Sequence, residues 1–171
     1  FGHQRETKRL AVLLRAFRGA IQAGANASLL VAGDFVSTAF EDSLSLDQPW
    51  IERTGFLPEQ EFWRYAAATD VCVNLRYPSA GETSGIGVRM MGIGKPVIFT
   101  DDAAVASLPE TACLRVNAGP EEEETLAAYL GWLADDREAA AAIGRRAAEH
   151  MAREHAPEKI ARQYWDVLNK A

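Results

Sequence analysis

Residues 76–95 read RYPSAGETSGIGVRMMGIGK, and the way this stretch folds decides the architecture of the chain. It lies between two strand-like runs, Val71-Cys72-Val73-Asn74-Leu75 and Pro96-Val97-Ile98-Phe99-Thr100. A segment of this length between two apolar runs calls for a parallel crossover through a helix, since a hairpin needs only a few residues. Glu82-Thr83-Ser84-Gly85 opens that helix, and Gly92 or Gly94 closes it. A carboxylate followed by small residues with free amides, just beyond a buried strand, suits a polar, phosphorylated ligand.

Working outward, strands alternate with helices along the whole chain. Phe1-Gly2 reads as the end of a strand whose body lies upstream. A helix follows from about Thr7 to Ala23, with Leu10, Leu13, Leu14, Phe17 and Ile21 on one apolar face. Ala27 to Ala32 is an apolar strand that stops at Gly33-Asp34. Residues 35–49 read as loop with a short helix, and Trp50 to Thr54 as a strand. Pro58 suits the first turn of a helix over Glu59 to Ala68, burying Phe62, Tyr65 and Ala66. After the central crossover and its second strand comes a short strand at Cys113 to Val116. Helices over Glu121 to Ala134, Arg137 to Glu154 and Pro157 to Asn169 finish the chain. This order predicts one α/β domain, a Rossmann-like parallel sheet with helices on both faces. In such sheets ligands lie beyond the carboxyl ends of the strands. Those ends are Gly2 to Lys8, Gly33-Asp34, Gly55 to Leu57, Ser79 to Gly87 and Asp101-Asp102.

The bulk properties narrow the function classes. A length of 171 residues suits a single domain, 48% of the residues are hydrophobic, and the net charge is −6. That charge argues against nucleic acid as a partner, because a binder needs a basic stripe to displace counterions. His3, His150 and His155 are too scattered for a metal site, and Cys72 and Cys113 sit in apolar runs as buried thiols. No 18-residue apolar run or signal peptide is apparent, so a cytoplasmic location is expected.

Two constellations carry chemistry. Arg5, Lys8 and Arg9 follow the first strand, and cations at a helix start oppose its dipole. Lys8 and Arg5 are therefore candidates for meeting a phosphate; the plainer alternative is a solvated patch with Arg9 pointing outward. Glu82-Thr83-Ser84-Gly85-Ile86-Gly87 offers helix amides to a phosphate and a carboxylate to ligand hydroxyls. Here the plainer alternative is that Ser84 or Thr83 simply caps the helix beside Glu82. Gly94-Lys95 is not a P-loop, since Pro96 follows where Ser or Thr is required. Ser79 and Ser84 have no neighbouring His, so hydrolase chemistry is not expected.

The order of motifs resembles the donor domain of group 1 (family 4) retaining glycosyltransferases. Gly2, Lys8-Arg9 and Leu13-Leu14-x-Ala16-Phe17 look like its opening, followed by Leu29-Leu30-Val31-Ala32-Gly33 and Thr54-Gly55-Phe56-Leu57-Pro58. Tyr65, Ala67, Ala68 and Asp70-Val71 continue it, then Gly94-Lys95-Pro96-Val97-Ile98. The resemblance implies the C-terminal half of a GT-B enzyme whose N-terminal acceptor domain is absent from this chain. It implies retaining transfer of a hexosyl group from a nucleotide-diphosphate sugar to an acceptor glycan or lipid, without a metal or other cofactor. It also implies a place at the inner membrane's surface for the full-length protein and a final helix that packs on the other domain or pairs two copies. By the same resemblance Glu82 and Lys8 are the catalytic residues. Arg5 and Lys8 hold the diphosphate with the amides of Ser84 to Ile86, next to Thr83 and Gly85. Gly55, Phe56 and Leu57 meet the base. The family's second Glu falls on Arg89 or Met90, which removes the usual ribose contact; Arg89 then faces a phosphate or an acidic sugar. A nucleotide-sugar epimerase of GT-B layout and a non-catalytic nucleotide-binding module are the rival readings.

Overall fold

A computed structural model describes residues 1–169. Its elements run α1 (Leu10–Gln22), β1 (Leu29–Ala32), α2 (Thr38–Asp42), β2 (Ile51–Thr54), α3 (Glu59–Ala68) and β3 (Cys72–Asn74). They continue with α4 (Gly85–Gly92), β4 (Val97–Thr100), β5 (Leu114–Val116), α5 (Glu122–Asp135), α6 (Arg137–Glu154) and α7 (Pro157–Leu168). All strand pairs are parallel, as the alternation of strands and helices demands. The strands form two groups rather than one continuous sheet: β1 with β2, and β3-β4-β5 with β4 in the centre.

Helices cover both faces. Along β4, Ile98 enters a core shared with α1, α5 and β1, while Val97 and Phe99 enter a second core with α3, α4 and α6. The alternation is the strand's own period of two, and it is why residues 97–100 are buried without exception. Cys72 and Cys113 are free and buried, and burial pushes the Cys72 thiol up to about 11.

Two local departures from the expected elements shape the ligand edge. The first helix does not begin at Thr7: a 3-10 turn over Glu6–Lys8 precedes it, and Arg9 between the two is left-handed at φ 54°. That conformation is uncommon outside Gly, Asn and Asp. It is held here by Arg9 itself, whose Nε donates to Glu122 Oε1 at 2.9 Å and whose guanidinium lies 5.5 Å from the centre of the Tyr77 ring. Glu122 is only 1% exposed, so the pair is tightly enclosed on its acidic side. Pro58 precedes α3 as its cap in extended conformation (ψ 156°) rather than entering the first turn.

Gly87 is the residue that lets α4 sit on β4. A Cβ there would lie 2.5 Å from the Phe99 ring, so any larger side chain would push the helix start off the sheet. Among the described residues no helix is long and apolar enough to cross a membrane. Helix α7 leaves Tyr164, Trp165, Val167 and Leu168 exposed, Leu168 to 73%.

Candidate functional site

The carboxyl ends of β1 to β4 and the loops after them gather on one edge, and hydrogen bonds tie these loops to one another. Gln4 is buried and bridges them: its amide donates to Asp34 O at 2.8 Å, and its side-chain Nε2 donates to Gly2 O and Ala32 O at 2.7 and 3.0 Å. The Tyr77 amide donates to Thr7 O at 2.8 Å, joining the basic loop to the segment that leads to Glu82. Asp34 Oδ1 accepts the Phe56 amide at 3.0 Å and so fixes the loop over Gly55 to Leu57, with the Phe56 ring 70% exposed.

Lys8 is half-buried, and its Nζ donates to Phe1 O at 2.7 Å. Two of its three donors remain for other acceptors. Burial, with the nearby charges of Arg76 and Arg5 acting in the same direction, lowers its pKa to about 8. Three cations thus share a small region, and no carboxylate contributes to that shift. This is an arrangement that an anion would relieve. Arg5 lies exposed on the same loop.

Glu82 lies on the loop that leads into α4. Its Oε1 pairs with Arg76 Nη1, and its Oε2 accepts the Ala80 amide at 3.1 Å. Its own backbone amide holds the carboxyl below the usual carboxylate range, with the Arg76 charge adding to the effect. Arg76 in turn is positioned by its backbone amide, which donates to Thr100 Oγ1 at 2.9 Å. Arg76 was not among the residues singled out from the sequence. The signal was present, because a cation directly after β3 has to emerge on the carboxyl edge. Asp34, which sets the 55–57 loop, was missed in the same way.

Ser84 caps α4. Its Oγ accepts the Gly87 amide at 3.2 Å, so capping is real. It uses only that amide. Those of Gly85 and Ile86 have no acceptor among the described residues, and a Cβ at Gly85 would meet nothing within 4 Å. Thr83 is exposed beside them. Capping and an open anion-facing end therefore coexist. Glu82, Ser84, Arg76, Asn74, Thr100 and Asp102 line a small cavity of about 20 Å³ at the ends of β3 and β4.

Arg89 is placed elsewhere. Its guanidinium pairs with Glu59 on α3 and lies 4.8 Å from the centres of both the Phe62 and Trp63 rings. The structure brings Lys8, Arg5, Glu82 and the start of α4 to one edge and gives Arg89 to the flank between α3 and α4. No group of three or more His, Cys, Asp or Glu suited to a metal ion occurs among the described residues.

The sequence matches the family described as Glycosyl transferases group 1 over residues 1–136. The chain belongs to the group 1 glycosyl transferases. In fold it is similar to the C-terminal domain of the group 1 family protein LpcC from Francisella tularensis (19% identity, TM-score 0.76), covering 92% of this chain and 84% of that one. It is also similar to Anabaena HepE solved with UDP-glucose (18% identity, TM-score 0.82). A third similarity is to sucrose-phosphate synthase from Thermosynechococcus elongatus (19% identity, TM-score 0.74). In those two cases 99% of this chain is covered, but only 48% and 44% of the other, so the chain spans about half their length. No curated protein sequence matches it. The group 1 domain is thus a Rossmann-like half of the GT-B architecture, as its motif order implied.

Proposed function

We propose that this group 1 domain binds a nucleoside-diphosphate sugar and serves as the donor half of a hexosyltransferase that retains anomeric configuration. The observation that carries this reading is that Lys8, the Arg76–Glu82 pair and the open amides of Gly85 and Ile86 all lie on the loops at the carboxyl edge of the strands, with Arg76 near enough to Lys8 to lower its pKa. Lys8 and Arg5 hold the diphosphate with those amides, and Arg76 releases Glu82 to do the same. Glu82 accepts hydrogen bonds from sugar hydroxyls. The Gly55–Leu57 loop, fixed by Asp34, presents backbone groups and the Phe56 face to the base. That HepE has been solved with UDP-glucose supports a uridine nucleotide as the first ligand to try.

As the sugar leaves, negative charge builds on the nucleoside diphosphate. Lys8, Arg76 and the helix amides stabilise that charge in a preorganised setting, which lowers the barrier without needing a metal. The acceptor, a glycan or lipid, binds mainly on a second domain. The exposed apolar face of α7 packs on that domain or pairs two copies; a mass that rises with concentration in light scattering is the sign of pairing.

Calorimetric titration of the domain with UDP, GDP and ADP tests the reading, with UDP-glucose added to compare wild type and Glu82→Gln. Binding of at least one diphosphate is expected, together with a loss in Glu82→Gln of the extra affinity that the sugar contributes. No binding of any of the three removes the proposal.

A further inference from the structure

The turn that carries Lys8 has little of its own to hold it in place. Glu6–Lys8 is a single 3-10 turn with no buried residue, and Arg5 ahead of it makes no side-chain cap. Its backbone bonds run from the Lys8 amide to Arg5 O at 3.0 Å and from the Arg9 amide to Glu6 O at 2.9 Å. Hydrogen bonds of this kind have poor geometry, so a lone 3-10 turn needs support from outside. Yet Lys8 sits where a small displacement matters. Its Nζ reaches Phe1 O at 2.7 Å, and a Cβ on Gly2 would lie only 3.1 Å from that nitrogen.

The support comes from Arg9, at the seam between this turn and α1. It is the only non-glycine residue of positive φ among the described residues. A Cβ is crowded in that conformation, so it persists only where the surroundings impose it. Here the imposing group is Glu122, whose two carboxylate oxygens accept from Arg9 Nε and Nη2. Such a fork fixes the guanidinium in orientation as well as in place, which a lysine cannot do. Glu122 is itself firmly placed. It lies one turn ahead of Leu126 on the same face of α5, and Leu126 is fully buried in the core shared with Leu13 and Phe17 of α1. An enclosed carboxylate whose partner moves away is left uncompensated, so the pair resists displacement of Arg9. The same guanidinium packs on the Tyr77 ring, while the Tyr77 amide donates to Thr7 O. One side chain thereby joins α5, the Lys8 turn and the segment that begins with Arg76.

We propose that Glu122 is a positioning residue for the donor site: through Arg9 it sets the placement of Lys8 and of the segment over residues 76–77, without touching the ligand itself. The proposal rests on the reading of Lys8 as a diphosphate contact. Loss of the fork leaves the core between α1 and α5 in place, since Leu10, Leu13 and Leu126 meet there without it. What it frees is the turn and the segment bonded to that turn.

The test combines Arg9→Gly with Glu122→Gln, because glycine accepts the left-handed backbone and the amide leaves no unpaired buried charge. Amide hydrogen exchange of the unliganded chain is compared with wild type. Exchange at Lys8, Arg9 and Tyr77 is expected to speed up by about tenfold or more, with Ile98 unchanged. Unchanged exchange at those three amides overturns the proposal. So does an equal acceleration at Ile98, which marks a general loss of stability rather than a freed turn. Calorimetric titration with UDP then reads the consequence for the ligand. The double substitution is expected to weaken binding by about fivefold with Lys8 present and by less than about twofold in a Lys8→Ala background. A residue that acts through Lys8 has no effect once Lys8 is gone, so equal losses in both backgrounds, or none in the first, overturn the proposal. If the wild type binds none of UDP, GDP and ADP, the donor reading fails by itself, and the exchange result still decides whether Glu122 holds the turn.

Discussion

Two arginine–glutamate pairs flank α4, and they differ in everything except their chemistry. Arg76–Glu82 lies at the carboxyl edge, with Arg76 close enough to Lys8 to lower its pKa. Arg89–Glu59 lies on the flank, with its guanidinium spread against Phe62 and Trp63. A guanidinium on aromatic faces has its planar surface used up in packing. One paired only with an exposed carboxylate can exchange that partner for a stronger anion, since surface pairs contribute little on their own. Under the proposed function, the same residue type thus serves a ligand at one end of a helix and the fold at the other, and neighbours decide which.

Breaking the edge site has the largest expected effect. Lys8→Ala removes a charge-assisted contact to the diphosphate and weakens UDP binding by about 10- to 100-fold, read by calorimetry. Arg76→Gln is next, with a loss of about tenfold measured in the same titration. Arg89→Gln sharpens the comparison from the other side. UDP affinity stays within about twofold, while denaturant unfolding shows a loss of about 0.5–1 kcal/mol from the missing cation–π contacts.

Lys8 also predicts a pH dependence with opposite signs for binding and stability. Because the folded pKa of Lys8 is about 8, below its ordinary 10.5, the folded state gives up this proton first as pH rises. Diphosphate affinity therefore falls above pH 8. The unfolded chain binds more protons between 8 and 10.5, so the Lys8 contribution to stability rises across that window instead. Lys8→Met removes both trends, which titrations and melts over this pH range check.

How much of this was legible beforehand depends on whether the deciding contact was local. Helices α3 and α6 run over Glu59–Ala68 and Arg137–Glu154 as their sequences imply, because periodicity and end residues such as Asp136, which caps α6, are local signals. Ser84 at the start of α4 is legible for the same reason. The left-handed Arg9 was not, because the Glu122 that holds it lies 113 positions away in the chain. The split between β1-β2 and β3-β4-β5 was equally hidden, since apolar runs state that strands are buried without stating what lies beside them. At the site, Lys8 and Glu82 stood out as charges in unusual places. Arg76 was legible only as a cation leaving β3 at that edge; its pairing with Glu82, like the hold of Asp34 on the 55–57 loop, exists only once the loops converge. Arg89 looked like a ligand residue from its place in a motif, and only the fold reveals the two aromatic rings beneath it.

The central claim is that ligand and fold divide these two pairs between them, and amide chemical-shift mapping during a UDP titration tests it most directly. Shifts are predicted at Lys8, Arg76, Gly85 and Ile86, with the Trp63 indole and the Arg89 and Glu59 amides unmoved. Shifts centred on Trp63 and Arg89, with the edge silent, would contradict the account.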